Sequence, residues 1–170
     1  GAANTSAALA HLGLHTRVVG RLGKDANRRR RVADLQRHGV CTRHISRVPG
    51  EQSTWCFVGI HPDGEHTFVC TYGASHDCSP ADVPADVWAD GQAVVYQDMG
   101  SLPQLDGRPA AALLQQARAQ GAITFADENL GRRRPVGVLD TMLPAIDWFL
   151  PSAADLGDML GLDEPDAIAV

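Results

Sequence analysis

The stretch Thr16-Arg17-Val18-Val19-Gly20-Arg21-Leu22-Gly23-Lys24-Asp25 combines an apolar segment, a glycine turn and a helix-capping aspartate. The apolar segment predicts a short buried strand at 16–20, and the glycines predict a turn at 20–23. Asp25 predicts a helix N-cap, because its carboxylate accepts hydrogen bonds from the N–H groups that a helix start leaves unpaired. The helix is predicted over 26–38, ending at Gly39, and a further strand follows at 45–48. This order predicts parallel strands joined by a right-handed crossover.

A β-hairpin is predicted in the middle of the chain. Two stretches rich in β-branched and aromatic residues, 53–60 and 66–72, flank the turn sequence Pro62-Asp63-Gly64-Glu65. Turn residues between two such stretches are typical of a hairpin. Antiparallel strands inserted into an α/β pattern indicate a flap or an edge sheet.

The remaining segments also alternate between strands and helices. At the N-terminus, the turn Gly1-Ala2-Ala3-Asn4 precedes a predicted helix over 5–12, which Gly13 ends. After the hairpin, strands are predicted at 93–97, 122–126 and 146–150, and helices at 109–120, 138–143 and 152–160. The alternation predicts an α/β fold with a mostly parallel sheet.

Composition argues against several classes of protein. The 170 residues carry a net charge of −5, which disfavours nucleic acid as a partner. No apolar run reaches the roughly 18 residues of a membrane span. The four cysteines form no CxxC pair, so reduced thiols in a cytoplasmic protein are expected. The histidines and cysteines show no recognised ligand spacing, so no structural metal is expected.

Four segments, taken in order, resemble the ribokinase (PfkB) family of carbohydrate kinases. They are Gly1-Ala2-Ala3-Asn4, Gly20-Arg21-Leu22-Gly23-Lys24-Asp25, the hairpin that ends with Thr67-Phe68 and Gly73-Ala74, and Phe125-Ala126-Asp127-Glu128-Asn129-Leu130. Gly100-Ser101-Leu102 and Ser152 are most similar to the fructokinase-like branch. The resemblance implies a three-layer α/β/α sandwich with a small β-lid over about 53–72. It also implies transfer of the γ-phosphoryl group of ATP, with Mg²⁺, to a sugar hydroxyl.

The resemblance further implies that residues 1–170 are an internal piece of the kinase domain, incomplete at both ends. The first strand would precede Gly1, and the glycine-rich anion hole and the catalytic aspartate would follow Val170. The piece alone is therefore expected to lack the catalytic base and to be inactive. The alternative is a non-catalytic, truncated or degenerate kinase-like protein that at most binds sugar. The implied partner is a small-molecule sugar, without nucleic acid or membrane, and the family also admits a homodimer through the lid.

The resemblance implies substrate contacts from four residues: Gly1, Asn4, Gly73 and Gly100. Asn4 is the main candidate, because an amide both donates and accepts hydrogen bonds. A helix N-cap is the alternative role for the same residue. Tyr72 stands where kinases of fructose and sugar acids often have arginine. The missing guanidinium favours a neutral sugar or a nucleoside.

The resemblance implies phosphate or Mg²⁺ contacts from four more residues: Asp127, Asn129, Ser152 and Asp155. Asp127 and Asn129 follow a predicted parallel strand, and ligands bind at the carboxyl ends of such strands. Mg²⁺ is a hard cation that carboxylates hold. A polar turn is the alternative role for the first pair, and a capped helix start is the alternative for Ser152 and Asp155.

One departure from the family lies directly after the Asp25 turn. The family usually continues with an aromatic residue and a glycine, where this chain has Asn27 and Arg28. Arg28 opens a run of four arginines that ends at Arg31. Neighbouring side chains on a helix point in different directions, so this run is expected to form a solvated surface.

Overall fold

The computed structural model of the protein describes residues 1–128 and 136–152. In chain order, the helices and strands are α1 (Ala2–His11), β1 (Arg17–Gly23), α2 (Ala26–Arg37), β2 (Cys41–Val48), β3 (Trp55–Ile60), β4 (His66–Thr71), β5 (Ala93–Met99), α3 (Arg108–Ala119), β6 (Ile123–Glu128), α4 (Val136–Met142) and β7 (Trp148–Phe149). They belong to two compact units. We call Ala3–Cys78 the N-terminal unit, and Gly1–Ala2 with Ser79–Val170 the C-terminal unit.

The N-terminal unit contains the predicted strand, helix and strand. β1 pairs in parallel with β2, and α2 connects them. Asp25 caps α2 by accepting a hydrogen bond of 2.7 Å from the backbone nitrogen of Arg28, as predicted. The predicted turn at 20–23 is wrong, because β1 continues to Gly23 and stays paired with β2 up to Val48. Long-range pairing overrides the turn preference of the two glycines.

The hairpin is confirmed. β3 and β4 pair antiparallel in a register that runs from Trp55 opposite Thr71 to Ile60 opposite His66. The backbone nitrogen of His61 donates to the carbonyl oxygen of Glu65 at 2.8 Å, which closes the turn. Large apolar side chains on both faces of the hairpin are exposed, among them Phe57, Val58, Ile60, Phe68 and Val69.

The expectation of reduced thiols is wrong for two of the cysteines. Cys56 and Cys70 lie opposite each other in the β3–β4 register and form a disulfide. Their Cα atoms are 4.0 Å apart, because directly opposed residues of an antiparallel pair approach closely. Cys41 and Cys78 are thiols, as expected.

The C-terminal unit is built on three parallel strands in the order β5-β6-β7. α3 buries one face, which carries Ala110, Leu114 and Ala117, and it contacts β6. Buried Met99 and Met142 complete the core of this unit. The spacing of three to four residues between the buried positions of α3 is that of an amphipathic helix.

A partly buried hydrogen-bond network joins β6 to the start of β7. One carboxylate oxygen of Asp147 accepts from the backbone nitrogen of Thr124 at 2.9 Å and from its hydroxyl at 3.0 Å. The other oxygen lies 3.1 Å from the guanidinium of Arg118. The backbone hydrogen bond from Thr124 is the main reason why the pKa of Asp147 is lowered. The network fixes β7 beside β6.

The α/β class with mostly parallel strands is confirmed, with three small sheets in the described residues: β1-β2, β3-β4 and β5-β6-β7. The first helix begins at Ala2, earlier than predicted. The helix predicted at 152–160 lies outside the described residues, apart from its first position. Within residues 1–128 and 136–152, no helix has the length and hydropathy that a membrane span needs.

Candidate functional site

A cleft of about 380 Å³ lies at the base of the hairpin, within the N-terminal unit. It is lined by Glu51, Gln52, Thr71, Tyr72, Gly73, His76 and Asp77. Thr71 is the last residue of β4, and the two following residues lead into a short 3₁₀ helix at Ala74–Asp77. The cleft therefore contains Gly73, a predicted substrate residue, and Tyr72, which the resemblance places where related kinases often have arginine.

Gly73 allows two backbone segments to approach closely. Its own nitrogen donates to the Thr54 hydroxyl at 3.0 Å, and the nitrogen of Ala74 donates to the Gln52 carbonyl at 2.8 Å. A Cβ atom at Gly73 would lie 2.0 Å from the carbonyl oxygen of Gln52. Only glycine fits this wall of the cleft without moving the backbone.

The charges of the cleft suit a neutral ligand. Its lining contains two carboxylates, Glu51 and Asp77, and no lysine or arginine among the described residues. Arg21 on β1 lies behind the lining: its guanidinium is 3.8 Å from the Glu51 carboxylate and donates to the Asp77 carbonyl at 3.1 Å. The rings of Tyr72 and His76 are 5.1 Å apart. Carboxylate acceptors beside aromatic rings are groups that bind hydroxyls and flat apolar faces of a ligand.

Half-buried Asp25 and buried Ser53 form a lock, next in sequence to the cleft residue Gln52. The Asp25 carboxylate accepts from the Ser53 nitrogen at 2.6 Å and from the Ser53 hydroxyl at 2.9 Å. The same hydroxyl accepts from the nitrogen of Gly23 at 3.1 Å, and Ser53 is fully buried. The backbone hydrogen bonds from Ser53 and Arg28 lower the pKa of Asp25. The lock holds the segment before β3 against the end of β1.

In the C-terminal unit, two candidate residues, Gly1 and Gly100, lie at the carboxyl end of β5. Gly100 has a φ of +93°, which favours glycine, and it follows buried Met99. Asp98 has a φ of +62° and is one of two described non-glycine residues with a positive φ. The Asp98 carboxylate lies 3.4 Å from the Gly1 nitrogen, so Gly1 and Gly100 share this strand end. Backbone strain of this kind is common at functional sites.

Asp106 holds the turn at Gly100 and was not identified from the sequence. Its carboxylate accepts from the backbone nitrogens of Gly100 at 3.1 Å and Leu102 at 2.9 Å, and from the Tyr96 hydroxyl at 2.8 Å. Burial raises the pKa of Asp106, and these hydrogen bonds offset part of the effect. An aspartate six residues after a strand-end glycine was the available signal, since aspartate commonly bonds the backbone of nearby turns.

The predicted phosphate residues are described only in part. Asp127 is half-buried near the end of β6, next to buried Glu128, which pairs with Met99 of β5. Ser152 is exposed and follows β7. β5, β6 and β7 are parallel, so their carboxyl ends meet at one edge of the sheet, where ligands bind in such folds. Asn129 and Asp155 lie outside the described residues.

Asn4 lies in the first turn of α1, within the N-terminal unit, and its side chain is exposed. α1 begins at Ala2, so Asn4 is inside the helix and the alternative role as N-cap is wrong. Contact between its amide and a substrate stays a prediction.

The family model of the pfkB carbohydrate kinases matches residues 1–170. The chain belongs to this family. The pfkB assignment agrees with the four sequence segments and with the α/β architecture. No curated protein matches the sequence.

Solved structures of pfkB-type kinases share the fold. A putative ribokinase II from E. coli is 20% identical with a TM-score of 0.82, and the match covers 99% of this chain and 57% of that one. Fructokinase from Xylella fastidiosa with bound ATP is 23% identical with a TM-score of 0.78, again covering 99% and 57%. Adenosine kinase from Sinorhizobium meliloti is 20% identical with a TM-score of 0.83, covering 97% and 52%. The chain therefore spans a little over half the length of these kinases.

Proposed function

We propose that the full-length protein transfers the γ-phosphoryl group of ATP to a hydroxyl of a neutral sugar or a nucleoside. The observation that carries this proposal is the lining of the cleft beside Gly73, which holds Glu51 and Asp77 but no described lysine or arginine. The Arg21 guanidinium compensates the Glu51 carboxylate from outside the lining, so the cleft offers no lining cation to an anionic substrate, whereas its carboxylates accept hydrogen bonds from sugar hydroxyls. Solved kinases of fructose and adenosine with the same fold support this substrate class.

Each unit contributes one part of the reaction in this proposal. The hairpin β3–β4 acts as the lid, and Asn4 and Gly73 of the same unit bind the sugar. Asp127 and Ser152, with Asn129 and Asp155, would hold Mg²⁺ and phosphate, because carboxylate and hydroxyl oxygens suit this hard cation. Bound Mg²⁺ would neutralise charge on the phosphoryl oxygens. A cytoplasmic location, where ATP is available, belongs to the same proposal.

Replacing Asn4 with alanine tests the sugar site. We expect the KM for the sugar to rise about tenfold, because two hydrogen bonds to the substrate are lost. The KM for ATP is expected to stay unchanged. Asn27, also an exposed asparagine in the first turn of a helix, provides the matched control Asn27→Ala. If both variants and the wild type had the same sugar KM, Asn4 would not contact the sugar.

We also propose that the protein dimerises through the hairpin. Phe57 and Val69 are paired on one of its faces, and Ile60 and Phe68 lie on the other. All four side chains are more than half exposed, from 57% at Val69 to 73% at Ile60. A two-stranded hairpin is marginally stable by itself, and apolar side chains on both faces call for a cover on each face. A substrate on one face and a second copy on the other would provide both covers.

Sedimentation of two double variants tests this arrangement. Phe57→Ser with Val69→Ser alters one face, and Ile60→Ser with Phe68→Ser alters the other. We expect one variant to be monomeric, and the other to remain dimeric with a raised sugar KM. A wild-type protein that is monomeric at micromolar concentration would contradict the proposed dimer.

A further inference from the structure

The disulfide between Cys56 and Cys70 lies at the end of the hairpin that borders the cleft beside Gly73. Cys56 is the second residue of β3, and Cys70 is the last but one of β4. Thr71, the next residue of β4, lines the cleft. The hydroxyl of Thr54, directly before β3, accepts a hydrogen bond of 3.0 Å from the Gly73 nitrogen. The disulfide therefore joins the two strands close to the point where they meet the cleft.

The two cysteines occupy a pair position that has no backbone hydrogen bonds across it. The His61 nitrogen donates to the Glu65 carbonyl, so these residues form a hydrogen-bonded pair at the turn. In an antiparallel ladder such pairs alternate with pairs that exchange no backbone hydrogen bonds. The register is regular, and Cys56 lies an odd number of positions before His61, so Cys56–Cys70 is a pair of the second kind. Their Cα separation of 4.0 Å agrees with the shorter spacing of such pairs.

Both bonded cysteines are exposed, so a thiol in solution can reach the disulfide. Thiol–disulfide exchange needs this access, because the attacking thiolate approaches a sulfur atom directly. Exposed disulfides are the ones that exchange readily, whereas structural disulfides resist reduction. Cys41 is half-buried and Cys78 is buried, and both are thiols. The disulfide thus lies where a reductant can act on it.

The hairpin that carries the disulfide is a small sheet of its own. In the described part of the chain, β3 and β4 pair with each other and with no third strand. A two-stranded hairpin is marginally stable in water, and Phe57 and Phe68 are more than half exposed. A disulfide across a sequence separation of 14 removes many of the open conformations. Breaking it is therefore expected to loosen the hairpin and to leave the parallel sheets folded.

We propose that Cys56–Cys70 is a reversible thiol–disulfide exchange site, at which a cellular dithiol reductant loosens the lid. One thiolate of the reductant attacks a sulfur of the pair, forms a mixed disulfide and releases the other cysteine, which takes up a proton. The second thiol of the reductant then attacks the mixed disulfide and releases the remaining cysteine. Two electrons and two protons pass to the cysteines, and the reductant becomes a disulfide.

The redox state of the pair is expected to control sugar binding. A protein that uses ATP in the cytoplasm meets thiol reductants, and disulfides there are usually transient or redox-sensing. The oxidised protein keeps the hairpin ordered beside the cleft, whereas the reduced protein binds the sugar more weakly. This effect on the sugar rests on the proposed function, but the exchange and the loosening of the hairpin do not.

Reduction of the folded, full-length protein with dithiothreitol tests the exchange. Alkylation of the thiols, followed by peptide mapping, reports whether Cys56 and Cys70 have been reduced. We expect both to become labelled together, without loss of the cooperative thermal transition, and to form the bond again with oxidised glutathione. A bond that resists dithiothreitol until the protein unfolds would contradict the proposal. So would a reduction that unfolds the whole protein, or thiols that oxidised glutathione leaves unpaired.

Hydrogen exchange and kinetics measure what the bond controls. We expect the amides of Phe57 and Val69, a hydrogen-bonded pair by the same alternation, to exchange at least about tenfold faster after reduction. The sugar KM is expected to rise at least about threefold, with the KM for ATP unchanged. The double variant Cys56→Ser with Cys70→Ser should match the reduced wild type and ignore dithiothreitol. Cys41→Ser is the matched control and should keep the full response.

The outcomes separate this proposal from the kinase proposal. Amide exchange that does not change on reduction, or an unchanged sugar KM in an active protein, would overturn the redox switch. A protein that phosphorylates no acceptor, but whose hairpin amides respond to reduction, would contradict only the kinase proposal.

Discussion

Replacing Gly73 with alanine is expected to lower the free energy of unfolding by about 3 kcal/mol, at the upper end of what overpacking costs. The added Cβ would lie 2.0 Å from the Gln52 carbonyl oxygen and 2.8 Å from the Thr54 nitrogen. Both are backbone atoms, so no side-chain rotation relieves the clash. The backbone would have to separate, which would break the hydrogen bond between Ala74 and Gln52. Urea unfolding of the purified variant measures the loss.

Gly59 provides the matched control, because it lies in β3 of the same hairpin. A Cβ there would make ordinary contacts of 3.7 Å, and its backbone does not require a positive φ. Gly59→Ala is therefore expected to change the unfolding free energy by about 0.5 kcal/mol or less. If both variants were equally stable, the close approach at Gly73 would not be a feature of the folded protein in solution.

The second large effect is expected from the lock between Asp25 and Ser53. Ser53→Ala removes the hydroxyl that bonds Asp25 and leaves the buried nitrogen of Gly23 without an acceptor. We expect the unfolding free energy to fall by about 2 kcal/mol, the usual cost of an unsatisfied buried donor plus a lost hydrogen bond. Ser46→Ala on β2 is the control, since the Ser46 hydroxyl has no partner in the described part of the chain. If Ser53→Ala had the same free energy of unfolding as the wild type, the hydrogen bonds between Asp25 and Ser53 would not stabilise the fold.

The same lock predicts how stability depends on pH. The pKa of Asp25 is lower in the folded protein than in the unfolded chain. Its stabilising contribution is therefore fully present above the unfolded pKa of about 3.9 and is lost as the pH falls through the lower folded value. Asp25→Asn is expected to flatten the acid limb of the stability curve. Part of the slope should remain, because the pKa of Asp147 is lowered as well. An unchanged acid limb in Asp25→Asn would contradict the geometry.

Local features of the chain were predictable because their causes lie within a few residues. The Asp25 cap, the positive φ of Gly39 just after the end of α2 and the turn of the hairpin all depend on short-range chemistry. The end of β1 was not predictable in this way. Its extension to Gly23 depends on pairing with Val48, which is far away in the sequence. Strand ends are set by partners rather than by local preference.

The disulfide illustrates a signal that spacing rules do not capture. Cys56 and Cys70 are nearly equidistant from the turn Pro62-Asp63-Gly64-Glu65. Once a hairpin is predicted, this symmetry places the two cysteines opposite each other. A search for CxxC pairs alone therefore missed the bond.

The candidate site was predictable only in part. The resemblance singled out Gly73 and Gly100; the structure shows a close backbone approach at Gly73 and a positive φ at Gly100, while their substrate contacts stay predictions. The resemblance did not identify Asp106, which acts on Gly100 through hydrogen bonds across a turn.

The most direct test of the central claim is the specificity of the full-length protein for its acceptor. The measurement is kcat/KM for ATP-dependent phosphorylation of fructose, adenosine and a keto-sugar acid under identical conditions. Because the cleft beside Gly73 carries Glu51 and Asp77 without a lining cation, we expect one of the two neutral acceptors to be preferred over the acid by at least about tenfold. A preference for the acid, or no phosphate transfer to any acceptor, would contradict the account.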